Sequence, residues 1–589
     1  LIQVATLSRG DKKMTNRKQN ERRNFIKGAA AAVATGVVPF ASSVAEAKSD
    51  HHWDMEADVV VVGSGVAASS AALFANKSGA SVIVLEKQSI LGGTSRKAAG
   101  MIWVPNNPLM KQLGIADQRD DAIRYMVRVA YPLQYNPKDS RLGVGENEYN
   151  VIAAIYDNGP KAVTELIEMG ALKVIPWRFP DGNLIPDAYA HLPEDKAPRG
   201  RSLMADGGTF NGAELIRQLQ AVFERLKIKV QTRHKVLHAL KNGKNEVIGV
   251  ETKDEENDKI IKIRARKAVI FGTGGFAQNV SLCENFLRGP IYGSCSSPGS
   301  TGDFVNIGLE TGAGLGNMNH AGWGQIPLES ALNVRSTPII MIGTPGDSTL
   351  TVNKYGRRVV NEKASYNERP QVHFDWDPVR GEYHNLALFM IFDQRTADLY
   401  SGIYPLPDDI TKAGDDVISG ANLTEIAVKL EERLEMLSGK IGGLKLDASF
   451  SANLSETVKR FNGYAKTGKD ADFNRGDAPV QKAFQYWGAK KVTNEFPNVT
   501  MYPISETGPY YAMLLGPGAF DTKGGPRVNA KGQVMDPWGK PIAGLYGVGT
   551  CVAHPSGQGY WASGSSLGPG LAMGYAAGRN AAKETVKGI

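Results

Sequence analysis

The sequence predicts an α/β fold: a Rossmann-like domain, discontinuous in the chain, carrying an inserted α+β cap. Three observations predict it. First, an apolar run from Val59 to Val62 ends at Gly63, a small-residue helix follows, and a second apolar strand, "SVIVLEK", closes on Glu86. Second, helical periodicity in "NVIAAIYDNGPKAVTELIEMG" and "NGAELIRQLQAVFERLKIKV" alternates with strands such as "KVLHAL" and "NEVIGVETK", the habit of a parallel sheet. Third, a β-rich, proline-punctuated middle separates this region from a glycine-rich C-terminal stretch of the same character as the first. These textures divide the chain into 1–47 (a leader), 48–324 (first part of the Rossmann-like domain), 325–504 (the cap) and 505–589 (second part).

Composition excludes several function classes. The chain has 589 residues, 42% hydrophobic and 22% charged, and its net charge of +8 is spread rather than clustered, which speaks against nucleic acid as a partner. Cys283, Cys295 and Cys551 show no C-x-x-C and no metal spacing, so a disulfide framework, an iron–sulfur cluster and a bound metal are not expected. The leader has Arg22-Arg23, then Phe25-Ile26-Lys27, an alanine-rich stretch and a small-residue exit at Ala45-Glu46-Ala47. It resembles a twin-arginine export signal, and its apolar stretch is short for a membrane span of about 20 residues. The expectation is a periplasmic protein exported already folded, with peripheral membrane contact open.

The first strand, turn and helix carry G-x-G-x-x-A. Gly63 permits the tight turn, Gly65 lets a pyrophosphate approach the backbone, and Ala68 stands where helix and strand pack together. The phosphates would sit on the helix N-terminus, with Ser64 and Ala67 beside them, and Glu86 lies where a carboxylate bonds ribose hydroxyls. Gly92-Gly93-Thr94-Ser95 follow at once, a second glycine loop with N–H groups and hydroxyls for more of a cofactor.

At this loop the sequence resembles the fumarate reductase and 3-ketosteroid dehydrogenase superfamily of FAD flavoproteins. Further matches recur in order, "AVIFGTGGFAQN" (268–279), "VNKYGRRVVNEKASY" (352–366) and "TKGGPRVNAKGQVMDPWGKPIAGLYGVGT" (522–550), so the resemblance spans nearly the whole chain after the leader. It implies FAD held also by Lys87, Ala99, Gly100, Val236, Thr273, Gly274, Gly275, Asn279, Gly549, Ser566 and Leu567. The loop holds Thr94 and Ser95 where some members carry a flavin-tethering histidine, so the FAD should be non-covalent.

The stretch "GQGYWASGSSLGPG" (557–570) separates branches of the superfamily. Reduction of a fumarate-like acid needs a cationic clamp, and the arginine that members of that branch carry here is replaced by Ser565-Ser566. Tyr560, Gly564 and Leu567-Gly568-Pro569 match the spacing of the 3-ketosteroid Δ1-dehydrogenase branch instead. A phenol O–H and the Gly564 N–H aimed at one oxygen form an oxyanion hole for an enolate. The helix after Ser566 would turn its positive N-terminus to the flavin. Tyr366 stands where the branch places its general base. Tyr189 lies near a further family tyrosine that would share the proton with Tyr366, and His191 is its rival.

The resemblance therefore implies an FAD-dependent 3-oxosteroid dehydrogenase of the Δ1 type, with cholest-4-en-3-one among the possible substrates. It would abstract a proton at C2 and pass hydride from C1 to flavin N5. A quinone or electron-carrier protein would reoxidise it. A Δ4-dehydrogenase, an enoate reductase of the fumarate or urocanate kind using Arg357, Arg358 or Arg527, and a non-enzymatic flavin carrier stay open. His320, His373 and His554 are expected to be structural.

Overall fold

A computed structural model describes residues 52–207, 210–485, 489 and 493–589. The leader expected over 1–47 lies outside the described residues.

The strand Met55–Val62 is fully buried over its last four residues and sits in the middle of the main sheet. Lys259–Phe271 pairs with it in parallel on one side and Val82–Leu85 on the other. Lys229–Gln231 and Pro541–Gly547 extend the parallel array outward. Such strands need apolar cover on both faces. The helices Val66–Lys77 and Leu567–Lys583 supply it on one side, and glycines set their approach: a Cβ on Gly574 would fall 2.5 Å from the Ala67 carbonyl oxygen. Pro541–Gly547 and Leu567–Lys583 complete a domain begun hundreds of residues earlier, as a discontinuous fold requires.

Two expectations need correction. The alternation of strands and helices suggested parallel pairing throughout, but His234–Lys241, Val247–Asp254 and Lys259–Phe271 form an antiparallel meander. The connections between them are too short for the crossover that parallel pairing needs. The boundaries at 324/325 and 504/505 also cut through one sheet. Tyr510–Thr522 is buried on both faces and pairs with Ala321–Pro327, Leu388–Asp393, Ile418–Gly420 and Gly293–Ser294. A strand apolar on both faces belongs at a sheet's centre, so the cap reaches from about Gly293 to Thr522. Its outer face is covered by Leu423–Leu437 and Phe450–Thr467, whose apolar stripes meet Leu350, Phe389 and Leu514. No described helix is long and apolar enough to cross a membrane.

Candidate active site

The turn between Met55–Val62 and Val66–Lys77 opens onto a cleft of about 880 Å³. Gly63 has φ +101, and a Cβ there would fall 2.4 Å from the Gly272 carbonyl oxygen, so only glycine fits. Glu86 is buried and accepts the Ser64 O–H at 2.5 Å and the Gln88 N–H at 2.9 Å, while Ser64 Oγ accepts the Gly92 N–H at 2.8 Å. The two glycine loops are thereby tied into one cradle. Thr94 Oγ1 accepts the Ser297 N–H at 3.0 Å and joins Ser300 Oγ at 3.1 Å.

All but five of the expected cofactor residues line this cleft. Ala68 packs on the strand, where a Cβ on Gly272 would lie 2.9 Å from its own. Gly275 is pressed against Asp521 and Thr522. Asn279 caps the helix Val280–Phe286 and donates to the Thr301 carbonyl. Ala99 and Gly100 line a neighbouring cavity. Sequence reasoning missed Gln88, His234, Ser297, Ser300, Asp303 and Val548; the run "SSPGSTGD" (296–303) had the glycine and serine content of a phosphate or ribose loop.

The cradle fits FAD. Gly93 has φ +47 and only open space where a Cβ would point, a helix N-terminus faces the cleft, and an acid stands at its far end. His234 is beside that acid, its backbone N–H on the Glu86 carbonyl oxygen. Gly65→Val adds a side chain where Ser95 Oγ already lies 3.1 Å from the missing Cβ. The variant should purify nearly free of flavin, whereas acid should release FAD from the wild type; a fully yellow Gly65→Val protein would refute this phosphate site.

A second cavity, about 1130 Å³ including its mouth, shares Thr94, Ser95, Thr550, Ser566 and Leu567 with the cleft. A cofactor whose reactive ring lies at that end faces this cavity. Its walls are largely apolar: Met101, Trp177, Ile339, Ile340, Phe484 and Phe520.

Tyr366, Tyr560 and Gly564 converge here. Tyr366 Oη donates to Tyr560 Oη at 2.7 Å, and the Gly564 N–H reaches the same Tyr560 oxygen at 3.3 Å. Burial pushes the Tyr560 phenol up to about 12 and holds Tyr366 well above its ordinary value, the neighbouring Tyr560 adding to the latter. The Tyr366 O–H, by donating to Tyr560, offsets part of the burial cost on Tyr560.

The expected pairing of Tyr366 with Tyr189 is not formed. Tyr189 lines neither cavity; its phenol faces Glu368, and burial followed by that carboxylate holds it protonated. The rival, His191, is exposed. The reason lies in the ion pairs that hold the loop carrying both residues. Arg201, fully buried, binds Asp117 through two bonds, Asp187 at 2.5 Å and Asp195 at 2.8 Å, and so fixes the 187–195 loop. Burial pushes the Asp187 carboxyl up to about 7 against the pull of Arg201.

That cluster also steadies the oxyanion loop. Asp187 accepts the Trp103 indole N–H at 3.0 Å, Trp103 stacks on Trp561 at 5.2 Å, and the Trp103 N–H donates to the Gly564 carbonyl oxygen. Gly564 has φ +97, and a Cβ would lie 2.6 Å from the Trp103 nitrogen, so glycine is required by the wall behind it. Tyr366 is pinned from its own segment by Glu362, which pairs with Arg358 and Arg475, and by the buried Arg369.

Among the described residues no cationic clamp is assembled from the arginines and histidines weighed for it. Arg358 is spent on Glu362 and Asp470, Arg527 on Glu148, and Arg357 is exposed outside the cavity. Burial pushes His320 and His373 down to about 4 and His554 to about 3, leaving all three neutral.

A dinucleotide cleft opening onto an apolar cavity with paired phenols defines an FAD-dependent oxidoreductase acting on CH–CH bonds. The chain belongs to the FAD binding domain family, which it matches over residues 58–567. It is 31% identical to 4-oxocyclohexanecarboxylate 2-dehydrogenase of Sinomonas cyclohexanicum over 89% of this chain and 92% of that one. It is 28% identical to a 3-oxosteroid 1-dehydrogenase of Mycolicibacterium smegmatis over 89% and 96%. The fold matches that of 3-ketosteroid delta1-dehydrogenase from Sterolibacterium denitrificans, in complex with 1,4-androstadiene-3,17-dione, with a TM-score of 0.71 at 24% identity, covering 90% of this chain and 99% of that one. The cofactor is FAD.

Proposed function

We propose that the protein desaturates a 3-ketosteroid between C1 and C2. The observation that carries this is the convergence of Tyr366, Tyr560 and Gly564 in one apolar cavity beside the FAD cleft. A cavity of this size and lining suits a fused-ring ketone. The ketone oxygen accepts from the Tyr560 O–H and from the Gly564 N–H, the latter released from its 3.3 Å bond to Tyr560 Oη, and both donors stabilise the enolate as it forms. Tyr366, beside Tyr560, removes the C2 proton in its ionised form. The apolar wall excludes water from the enolate. FAD, when bound, supplies the hydride acceptor for C1. Androst-4-ene-3,17-dione should bleach the oxidised flavin anaerobically, and fumarate should leave dithionite-reduced enzyme reduced; reoxidation by fumarate without bleaching by steroid would overturn the reading.

A second reading has its own observation. Lys97 lines the same cavity, its ammonium held by Ser336 Oγ at 2.9 Å and the Ser296 and Thr337 carbonyl oxygens, with no acid paired to it among the described residues. A smaller ring ketone bearing a carboxylate, such as the substrate named for the Sinomonas relative, would supply that acid. On this reading wild type prefers 4-oxocyclohexanecarboxylate over its methyl ester by about tenfold or more in kcat/KM, and Lys97→Met abolishes the preference. Equal use of acid and ester by the wild type would dismiss it.

A further inference from the structure

Lys523 follows directly on the central strand of the cap and is 2% exposed. Its ammonium donates to the Gly559 carbonyl oxygen at 2.5 Å and stands 6.0 Å from the centre of the Tyr560 ring. No carboxylate lies within ion-pair distance of it among the described residues. The charged and titratable groups facing it come from every neighbouring element: Arg288 after the helix Val280–Phe286, His320 before the strand Ala321–Pro327, Glu368 on the Tyr366 segment, and His554 on the oxyanion loop. The histidines are neutral. An ammonium buried with one carbonyl for a partner is costly to keep charged, and its field is little screened there. Glu368 favours its charge and Arg288 opposes it, while the Tyr560 ring stands against the ammonium on the cavity side.

We propose that Lys523 is a positioning residue of the oxyanion hole, its ammonium clamping the Gly559 carbonyl and setting a positive charge behind Tyr560 that strengthens the phenol as a donor to the enolate. The inference rests on the reading that Tyr560 polarises a ketone. It explains how phenols whose ionisation is opposed by burial carry charge during turnover, and why a lysine stands in a buried glycine-rich stretch.

Burial pushes the Lys523 amine down to about 7, so the charge is present below that pH and lost above it. With folded, flavin-loaded Lys523→Met, the ratio of wild-type to variant kcat on androst-4-ene-3,17-dione should be about ten- to fiftyfold near about pH 6 and approach one near about pH 9. KM should differ by less than about threefold. Lys523→Gln keeps a donor for the Gly559 carbonyl without the charge and should be as slow as Lys523→Met; rescue by Gln, or a ratio constant with pH, overturns the inference. Should neither variant fold, wild-type affinity for estrone, whose phenolic ring mimics the enolate, must fall about tenfold as Lys523 loses its proton, and a flat affinity is equally fatal. If the wild type neither oxidises the steroid nor binds estrone, the ketone reading fails separately. That outcome removes the reading on which this inference rests, whereas steroid oxidation with a ratio that does not change with pH removes the role of Lys523 alone.

Discussion

Tyr366→Phe should keep its flavin, bind a steroid ketone and fail to reduce the flavin, with the rate falling by about a thousandfold or more. The ring remains to pack against Phe520, 6.2 Å away, so the segment pinned by Glu362 and Arg369 should not move. What is lost is the oxygen, 2.7 Å from Tyr560 Oη, that is assigned to take the C2 proton. Tyr560 and the Gly564 N–H still polarise the ketone, so affinity should change less than about threefold. Stopped-flow reduction and a spectral binding titration on one preparation separate the two effects. A variant that reduces its flavin within about tenfold of the wild-type rate would remove Tyr366 as the base and turn attention to Asp521, which lines the same cavity.

Tyr560→Phe should lose about a hundred- to a thousandfold in turnover, the cost of one donor from a two-donor oxyanion hole. The effect belongs in kcat, because the bond strengthens as charge moves onto the oxygen. Both phenols serve the same step, removal of the C2 proton. Doubling Tyr560→Phe with Tyr366→Phe should therefore cost much less than the sum of the two. Additive losses would show that the phenols act independently.

The cofactor cradle was largely legible because its demands are local. A tight turn, a close phosphate approach and an acid at the end of the next strand are fixed by residues near in sequence, and Gly63, Gly65 and Glu86 stand together as the spacing implies. Ser297, Ser300 and Asp303 reach the same cleft from a distant segment, and no local pattern links them to it. Tyr366 and Tyr560 are 194 residues apart and were matched only through the resemblance. Tyr189 misled because its loop is governed by Arg201 and three aspartates scattered from 117 to 195, an interaction with no sequence spacing. The cap boundary was misplaced because glycine-rich texture begins after residue 504, while Tyr510–Thr522 belongs, by burial of both faces, to the cap sheet. Lys523 reads as a surface lysine beside glycines until the fold closes over it.

The central claim is that the enzyme acidifies the carbon next to a ring ketone. It is tested most directly with androst-4-ene-3,17-dione deuterated at C2 and enzyme whose flavin is already reduced, so that no oxidation can follow. Mass spectrometry of the recovered steroid should show C2 deuterium washed out to solvent by the wild type, slowly by Tyr560→Phe and hardly at all by Tyr366→Phe. Deuterium fully retained at C2 after wild-type incubation, with binding established on the same sample, would contradict the account.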